Sequence, residues 1–347
     1  LRGRYRQVIS VPSKRISIKD VARRAKVSIT TVSRVINKLP TVNARNIKKV
    51  EEAVAELKYR PNISAQRLAS GDNNMIGLVM PGYPGIFHSF FAIEIIRGVG
   101  HACESLHLDM VFHITDGNNA LNANYLGGII FADIIENRKQ VEQSLSENVP
   151  CLVINNVVQD LDVSYIAINN LKGGRLAAEY LVNLGHKRIA AITGNLRTQA
   201  GFDRFDGFMK GLDEMKIEIP KEYVFRGDYS RRSARQAAEY FFSMEPPNRP
   251  TAIFAQSDDM ALEVIAVAYE MGIRVPEDVS VMGFDDNPQA IYGPVALTTI
   301  RQPVFEMAEK SVRVLHEMIS GKREEKFKIA LDPELVVRDS CLPASAA

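Results

Sequence analysis

Between Met75 and Asp285 short apolar runs keep returning: "MIGLVM", "LDMVFHI", "GGIIFA", "PCLVINN", "RIAAITG", "YVFRGD", "TAIFAQ" and "VSVMGFD". Amphipathic stretches of 12–18 residues lie between most of them. A run that is apolar at successive positions hides both faces of a strand, which suits a parallel sheet covered by helices on each side. The alternation therefore predicts a doubly wound α/β body, in two lobes with a cleft between them. One connection is too short for this scheme. Only "DGNNALNANYLG" joins Thr115 to Gly128, whereas a parallel crossover takes about a dozen residues or more and usually a full helix. The expectation is a helix of about two turns or an irregular connection, leaving part of one sheet face exposed or covered by another chain.

The segment before this body has a different character. Residues 1–71 hold 17 lysines and arginines against four acids, a net of +13, and the remaining 26 bases and 37 acids net −11. Such an asymmetry points to a polyanionic partner for the first segment. The same segment repeats one helix-start device three times: an apolar residue, a polar cap, then an apolar residue one turn later. Ile16, Ser17 and Val21 form the first set, with Asp20 completing a capping-box arrangement; Val27, Ser28 and Val32 form the second; Val42, Asn43 and Ile47 the third. They predict helices over about Ile18–Ala25, Ile29–Asn37 and Ala44–Leu57. The first buries Val21, Ala22 and Ala25, the second Val32, Val35 and Ile36, and the third Ile47, Val50, Val54 and Leu57. Each is too short to stand alone, so they must share a core. The turn "AKVS" has the length of a helix-turn-helix connection. Ile29, Thr30, Ser33 and Arg34 are left on the outer face of the second helix. Hydroxyls can bond phosphates or base edges, and an arginine can take guanine O6 and N7 together.

"SIKDVARRAKVSITTVSRVINK", followed by "YRPNISAQRLASG", closely resembles the headpiece and hinge of the lactose-repressor/galactose-repressor (LacI/GalR) family. The resemblance implies that Ile29, Thr30 and Arg34 read bases while Ser28, Thr31, Ser33 and Asn37 hold the DNA backbone. It implies that the hinge turns helical on specific DNA, with Leu68 wedged into the minor groove. Lys26 departs from the family pattern of Gly or Asn in the turn; if that residue needs a positive φ, lysine costs about 1 kcal/mol. The implied domains are a basic extension (1–15), a helix-turn-helix headpiece (16–61), a hinge (62–73), an effector-binding and dimerisation domain (74–341) and a tail (342–347). The effector domain resembles a periplasmic sugar-binding fold. Its first lobe spans about 74–168 and 303–331 and its second about 169–299 and 332–341, with crossovers near Ile168–Leu171, Thr299–Pro303 and Leu331–Leu335.

Ligands of such folds bind at the carboxyl ends of strands. Asp285, Ser257, Asp258 and Tyr229 stand at or just past such ends, and Arg204 opens the helix after "RIAAITG". An arginine and an aspartate are a usual hydrogen-bonding pair for a polyol, and a tyrosine can stack on a sugar ring. The family positions add Phe90 and Phe91 from the other lobe. They place Ser257 where many sugar-responsive members carry Asn. Set against this, Arg204 and Asp285 could simply bridge each other or cap helices.

No G-x-G-x-x-G, P-loop or G-x-S-x-G stands in this body, and the six histidines lack metal-ligand spacing. Cys103, Cys151 and Cys341 are odd in number, without C-x-x-C, and read as reduced thiols. No apolar run reaches the length of a membrane span, and the basic N-terminus lacks the apolar core of a secretory signal. The final "SCLPASAA" carries no leucine heptads, so no tetramerising tail is expected. The resemblance therefore implies a cytoplasmic, homodimeric transcription regulator, a repressor by family habit, with no catalysis, metal or cofactor. Its partners would be a palindromic double-stranded DNA operator and a small effector, a sugar or sugar derivative first. A nucleobase, a nucleoside or a protein co-regulator would be alternative signals. A transporter's solute-binding protein fits the body but not the basic headpiece. An architectural DNA-binding protein without effector fits the headpiece but gives the cleft no task.

Overall fold

A computed structural model describes residues 16–37, 39–59, 74–82 and 86–344. They form two compact units, divided between residues 73 and 74.

The first unit is a trio of helices, α1 (Ile18–Ala25), α2 (Ile29–Ile36) and α3 (Ala44–Glu56). Each starts at its staple. The Asp20 carboxylate accepts from the Ser17 amide at 2.9 Å and from its hydroxyl at 2.6 Å. Ser28 Oγ accepts from Thr31 N at 3.1 Å, and Asn43 Oδ1 from Asn46 N at 2.9 Å. These bonds satisfy amides that a helix start leaves without partners. Lys26 ends α1 in the left-handed region, at φ 55° and ψ 46°. Val21, Ala22, Ala25, Val32, Val50 and Ala53 close one small core. Val35, Ile36, Val54 and Leu57 pack on it only half-buried, and Ile47 is half-buried too, short of the full burial that helical spacing predicts. A domain of this size has too little interior to enclose them all.

The second unit is α/β, as the alternation predicts. It begins with β1 (Met75–Pro81), α4 (Phe90–Leu106), β2 (Asp109–Thr115), β3 (Gly128–Phe131), α5 (Arg138–Ser146), β4 (Cys151–Ile154) and β5 (Ser164–Ile168). The chain then crosses into a second lobe with α6 (Asn170–Asn183), β6 (Ile189–Thr193), α7 (Gln199–Glu214), β7 (Val224–Arg226) and α8 (Arg231–Phe242). β8 (Ala252–Ala255), α9 (Asp258–Glu270), β9 (Ser280–Met282) and β10 (Thr299–Arg301) complete that lobe. It returns as α10 (Val304–Ile319) and β11 (Lys328–Leu331), and crosses once more into β12 (Glu334–Val336). The first sheet runs β11-β5-β4-β3-β1-β2 and the second β7-β6-β8-β9, all parallel, while β10 and β12 pair antiparallel between them. Helices α4 and α10 cover one face of the first sheet, with Ile95, Val99, Met307 and Val312 in its core. In the second lobe α8 and α9 cover one face and α6 and α7 the other. β5 escapes a reading by apolar runs because Ser164 and Tyr165 open it, and the three-residue β10 and β12 are too short to show a period.

The short connection contains no helix beyond a single 3-10 turn at Ala123–Tyr125. His113 Nε2 and Asn119 O lie 2.9 Å apart, and Asp116 Oδ1 accepts from Asn118 N at 2.9 Å, so the loop folds on itself. Leu121, Ala123 and Tyr125 take the missing helix's place against Val79, Ile129 and Phe131. The sheet face is therefore partly covered from within the chain.

Candidate functional site

On α2, Thr30, Ser33, Arg34 and Asn37 stand at i, i+3, i+4 and i+7, one stripe opposite Val32. Thr30, Arg34 and Asn37 are exposed and Ser33 is half-buried. Ile29, 44% exposed, stands one turn before Ser33. Ser28 and Thr31 join their hydroxyls at 2.9 Å at the helix start, so one of the two oxygens is already donating. Leu68 and the hinge lie outside the described residues.

The cleft side chains sit at strand ends of the second lobe, and close backbone packing sets them there. On α6 a Cβ at Gly174 would lie 2.0 Å from the Arg204 carbonyl oxygen, and on α7 one at Gly207 would lie 2.0 Å from that of Leu171. Only glycine permits this contact. It brings Arg204 beside Asn170 at the first crossover. The buried guanidinium then donates from Nε to Asn170 Oδ1 at 2.8 Å, from Nη1 to the Gln256 carbonyl at 2.8 Å and from Nη2 to Gln302 Oε1 at 2.9 Å. Its carbon lies 3.9 Å from the centre of the Phe284 ring. Arg204 thus ties α7 to two of the lobe crossovers.

Arg204 and Asp285 do not bond directly: Nη1 is 3.8 Å from Oδ1. Gln302 stands between them, accepting from Arg204 and donating from Nε2 to Asp285 Oδ1. Burial pushes the Asp285 carboxyl well above the usual carboxylate range, and Arg204 pulls it partly back. The turn that carries it is strained, with φ 133° at Asp285 and 60° at Asp286. Such backbone persists only where its surroundings hold it. Here Asp286 accepts from Arg301 Nε at 2.7 Å and Arg338 Nη2 at 2.5 Å, and Asp258 Oδ2 accepts from Asn287 N at 2.7 Å. Asp258 is wholly buried, and its other oxygen accepts from Thr299 Oγ1 at 2.5 Å. Burial raises its carboxyl to about 7, against those two hydrogen bonds. Each of its oxygens holds a hydrogen bond inside the protein, and through Asn287 N Asp258 supports the Asp285 turn.

Ser257 caps α9, accepting from Met260 N at 3.3 Å, which leaves its hydroxyl hydrogen for another partner. Tyr229, at φ 69°, lays its ring over Gly194, where a Cβ would be 2.0 Å from the ring's Cζ. Phe90 and Phe91 open α4 in the first lobe, both half-buried, and Phe91 packs against the lobe's core. A cavity of about 620 Å³ opens between the lobes, lined by Val157, Gln159, Asn169, Asn170, Gln199 and Asp203 among others; Arg204, Tyr229, Ser257, Asp285, Phe90 and Phe91 are not part of its lining. Gln199 spans it: its Oε1 accepts from Val157 N at 2.8 Å and its Nε2 donates to Val157 O at 3.1 Å. Asn170, Gln256, Gln302 and Phe284 were invisible to motif reading. The one available signal was an amide residue at a crossover or strand end beside a buried arginine.

Burial pushes the Cys103 and Cys151 thiols up to about 11 and Cys341 to about 12. Among the described residues no cluster of His, Cys, Asp or Glu is placed to hold a metal ion, and no helix is long and apolar enough to cross a membrane.

The model of bacterial regulatory proteins of the lacI family matches residues 17–62, and that of the periplasmic binding protein-like domain matches residues 178–341. The transcriptional regulator DegA of Bacillus subtilis is 34% identical, over 94% of this chain and 98% of its own. This chain belongs to the LacI family. The transcriptional repressor PurR of Escherichia coli O139:H28 is likewise 34% identical, over 93% of this chain and 96% of its own. Among solved structures, the lac repressor dimer bound to operator and an anti-inducer superposes with a TM-score of 0.77 at 29% identity, over 95% of this chain and 100% of that one. A complex of the regulator CelR with cellobiose gives 0.69 at 28%, over 94% and 100%. As a LacI-family member the chain is a DNA-binding transcriptional regulator with a ligand-binding domain, and not an enzyme.

Proposed function

We propose that this regulator is a cytoplasmic homodimeric repressor of a palindromic operator, and that a sugar or sugar derivative bound between the lobes sets its DNA affinity. The observation that carries the effector reading is the Arg204 centre. A buried guanidinium, held by three neutral acceptors, faces an aspartate 3.8 Å away on a strained turn, with Tyr229 close by. Holding a charge and a strained turn in the interior costs stability, and function is the usual reason to keep both. Arg204 and Asp285 would hydrogen-bond hydroxyls, Tyr229 would face a ring, Ser257 would donate its free hydrogen, and Phe90 and Phe91 would close the other wall. The cellobiose complex of CelR is consistent with a sugar, and the flat aromatic walls would also take a nucleobase or nucleoside.

The coupling is a free energy between two sites. A ligand that favours one arrangement of the lobes biases the spacing of the two hinges in a dimer, and so the seating of both headpieces in successive major grooves. In the headpiece Ile29 would meet an apolar base edge such as a thymine methyl, Thr30 and Arg34 would read bases, and Ser28, Thr31, Ser33 and Asn37 would hold phosphates. Leu68 would wedge into the minor groove, so that Leu68→Ala lowers operator affinity and DNA bending together. The test is a thermal-shift screen of sugars, nucleobases and nucleosides on the full chain, with hits retested for operator affinity. At least one compound should move both. A broad screen in which none moves either overturns the effector reading.

A further inference from the structure

We infer that Gln199 is a latch between the two lobes: its side-chain amide clasps the Val157 peptide group across the cleft, and the lobes part only when those two hydrogen bonds are released. Gln199 is the first residue of α7, past the carboxyl end of β6, and Val157 follows the carboxyl end of β4. Both therefore stand on walls that face each other across the cleft. Gln199 Oε1 accepts from Val157 N at 2.8 Å, and Gln199 Nε2 donates to Val157 O at 3.1 Å. A peptide N–H can only donate and a carbonyl can only accept, so the amide has one orientation and engages both its ends. Each side of the pair is seated on firm structure. On the first lobe Asn156 is buried, with Oδ1 accepting from Ile134 N at 3.0 Å, and Val158 lies in the core. On the second lobe Thr198 Oγ1 caps α7, accepting from Gly201 N at 3.1 Å, and Ala200 is buried. The two bonds therefore join the bodies of the lobes, not two loose loops.

Among the described residues, the other hydrogen bonds that join the lobes belong to the crossovers: Asn169 and Lys172 with Asp332, and Arg204 and Asp285 with Gln302. A contact at a crossover can persist while the lobes swing, because hinge motion is absorbed at a few element-terminal residues there. A contact between two facing walls cannot. The latch also differs in strength from the tie five residues further along the same helix. Arg204 is buried and its hydrogen bonds are charge-assisted. Gln199 and Val157 are joined by neutral bonds, are half-buried and line the inter-lobe cavity. Water can therefore take over their groups on release, and only the modest net value of each bond is lost. Helix α7 thus carries a lasting tie at Arg204 and a breakable one at Gln199. A molecule that enters by parting the lobes has to wait for the breakable one.

The test compares amide hydrogen exchange in the full chain with that in its Gln199→Ala and Gln199→Met variants, with no ligand added. Methionine keeps the length and bulk of the side chain, alanine keeps neither, and both lose the two bonds. Losing two neutral hydrogen bonds should raise the population with parted lobes roughly tenfold. Both variants should therefore exchange roughly tenfold faster at the crossovers. The reporter is Asn169, whose amide donates to the Leu331 carbonyl at 2.8 Å. Strands β1 and β8, inside the two lobes, should exchange as in wild type. Faster exchange confined to the neighbours of Val157 and Gln199 overturns the inference, since the pair would then be a local bond. Equal acceleration in β1 and β8 also overturns it, because the whole unit would be loosening. So does wild-type exchange in Gln199→Met beside fast exchange in Gln199→Ala, which would assign the hold to packing and not to the amide. Unchanged exchange in both variants leaves no latch.

Discussion

Arg204→Leu removes a buried cation that serves three acceptors on separate segments: Asn170 at the first crossover, the Gln256 carbonyl after β8 and Gln302 at the second crossover. Leucine fills part of the volume but donates nothing. The three acceptors stay buried, and Asp285 loses the cation 3.8 Å away. Hydrogen bonds to charged groups contribute about 1.5–3 kcal/mol each, and breaking a buried charged network typically costs about 3–5 kcal/mol in all. At about 2–4 °C per kcal/mol for a unit of this size, the melting temperature should fall by about 6–20 °C. The loss should also depend on pH. Burial already holds the Asp285 carboxyl above its ordinary range, and removing Arg204 removes the group that pulls it back. The folded variant therefore binds a proton at Asp285 more readily than the unfolded chain does, and its stability falls as pH rises through the carboxyl range and above. Calorimetry should find the gap between wild type and Arg204→Leu wider at neutral pH than in mild acid. A fall of less than about 2 °C, or a gap that widens in acid, would refute the reasoning that the guanidinium is an integral tie between crossovers.

Three further outcomes follow from particular contacts. Lys26→Gly relieves a left-handed residue at φ 55° and should stabilise the headpiece by about 1 kcal/mol, read as roughly fivefold slower amide exchange at Val32 in the full chain; unchanged exchange would mean the turn carries no strain. Arg34→Ala should cost about 1–3 kcal/mol of discrimination at one operator base pair, so a gel-shift series that keeps full discrimination would remove Arg34 from the reading edge. His186 is buried between Thr251 Oγ1 at 3.0 Å, Ser280 Oγ at 3.1 Å and the Leu342 carbonyl at 3.0 Å, and burial pushes its pKa below the ordinary 6.5. The unfolded chain then takes up the proton first, so this contribution is complete above about 6.5 and is lost as pH falls below it. His186→Gln should flatten the stability profile in that window, and an equally steep profile in the variant would assign the acid sensitivity elsewhere.

What the sequence determined by itself was local. The caps at Ser17, Ser28 and Asn43 act within three residues, and each of the three helices starts where its staple stands. The apolar runs of the two sheets are equally local, because a strand buried on both faces must be apolar at successive positions. The positions of Arg204 and Asp285 at element ends could be read in the same way. What they do could not. That Gln302 stands between them, that Asp258 turns inward to Thr299 and Asn287, and that Gln199 crosses to Val157 all join residues 17 to 98 positions apart. A short polar side chain gives no period or spacing that announces its partner; its role is fixed only when packing, such as the glycine contact of α6 with α7, has chosen its neighbours.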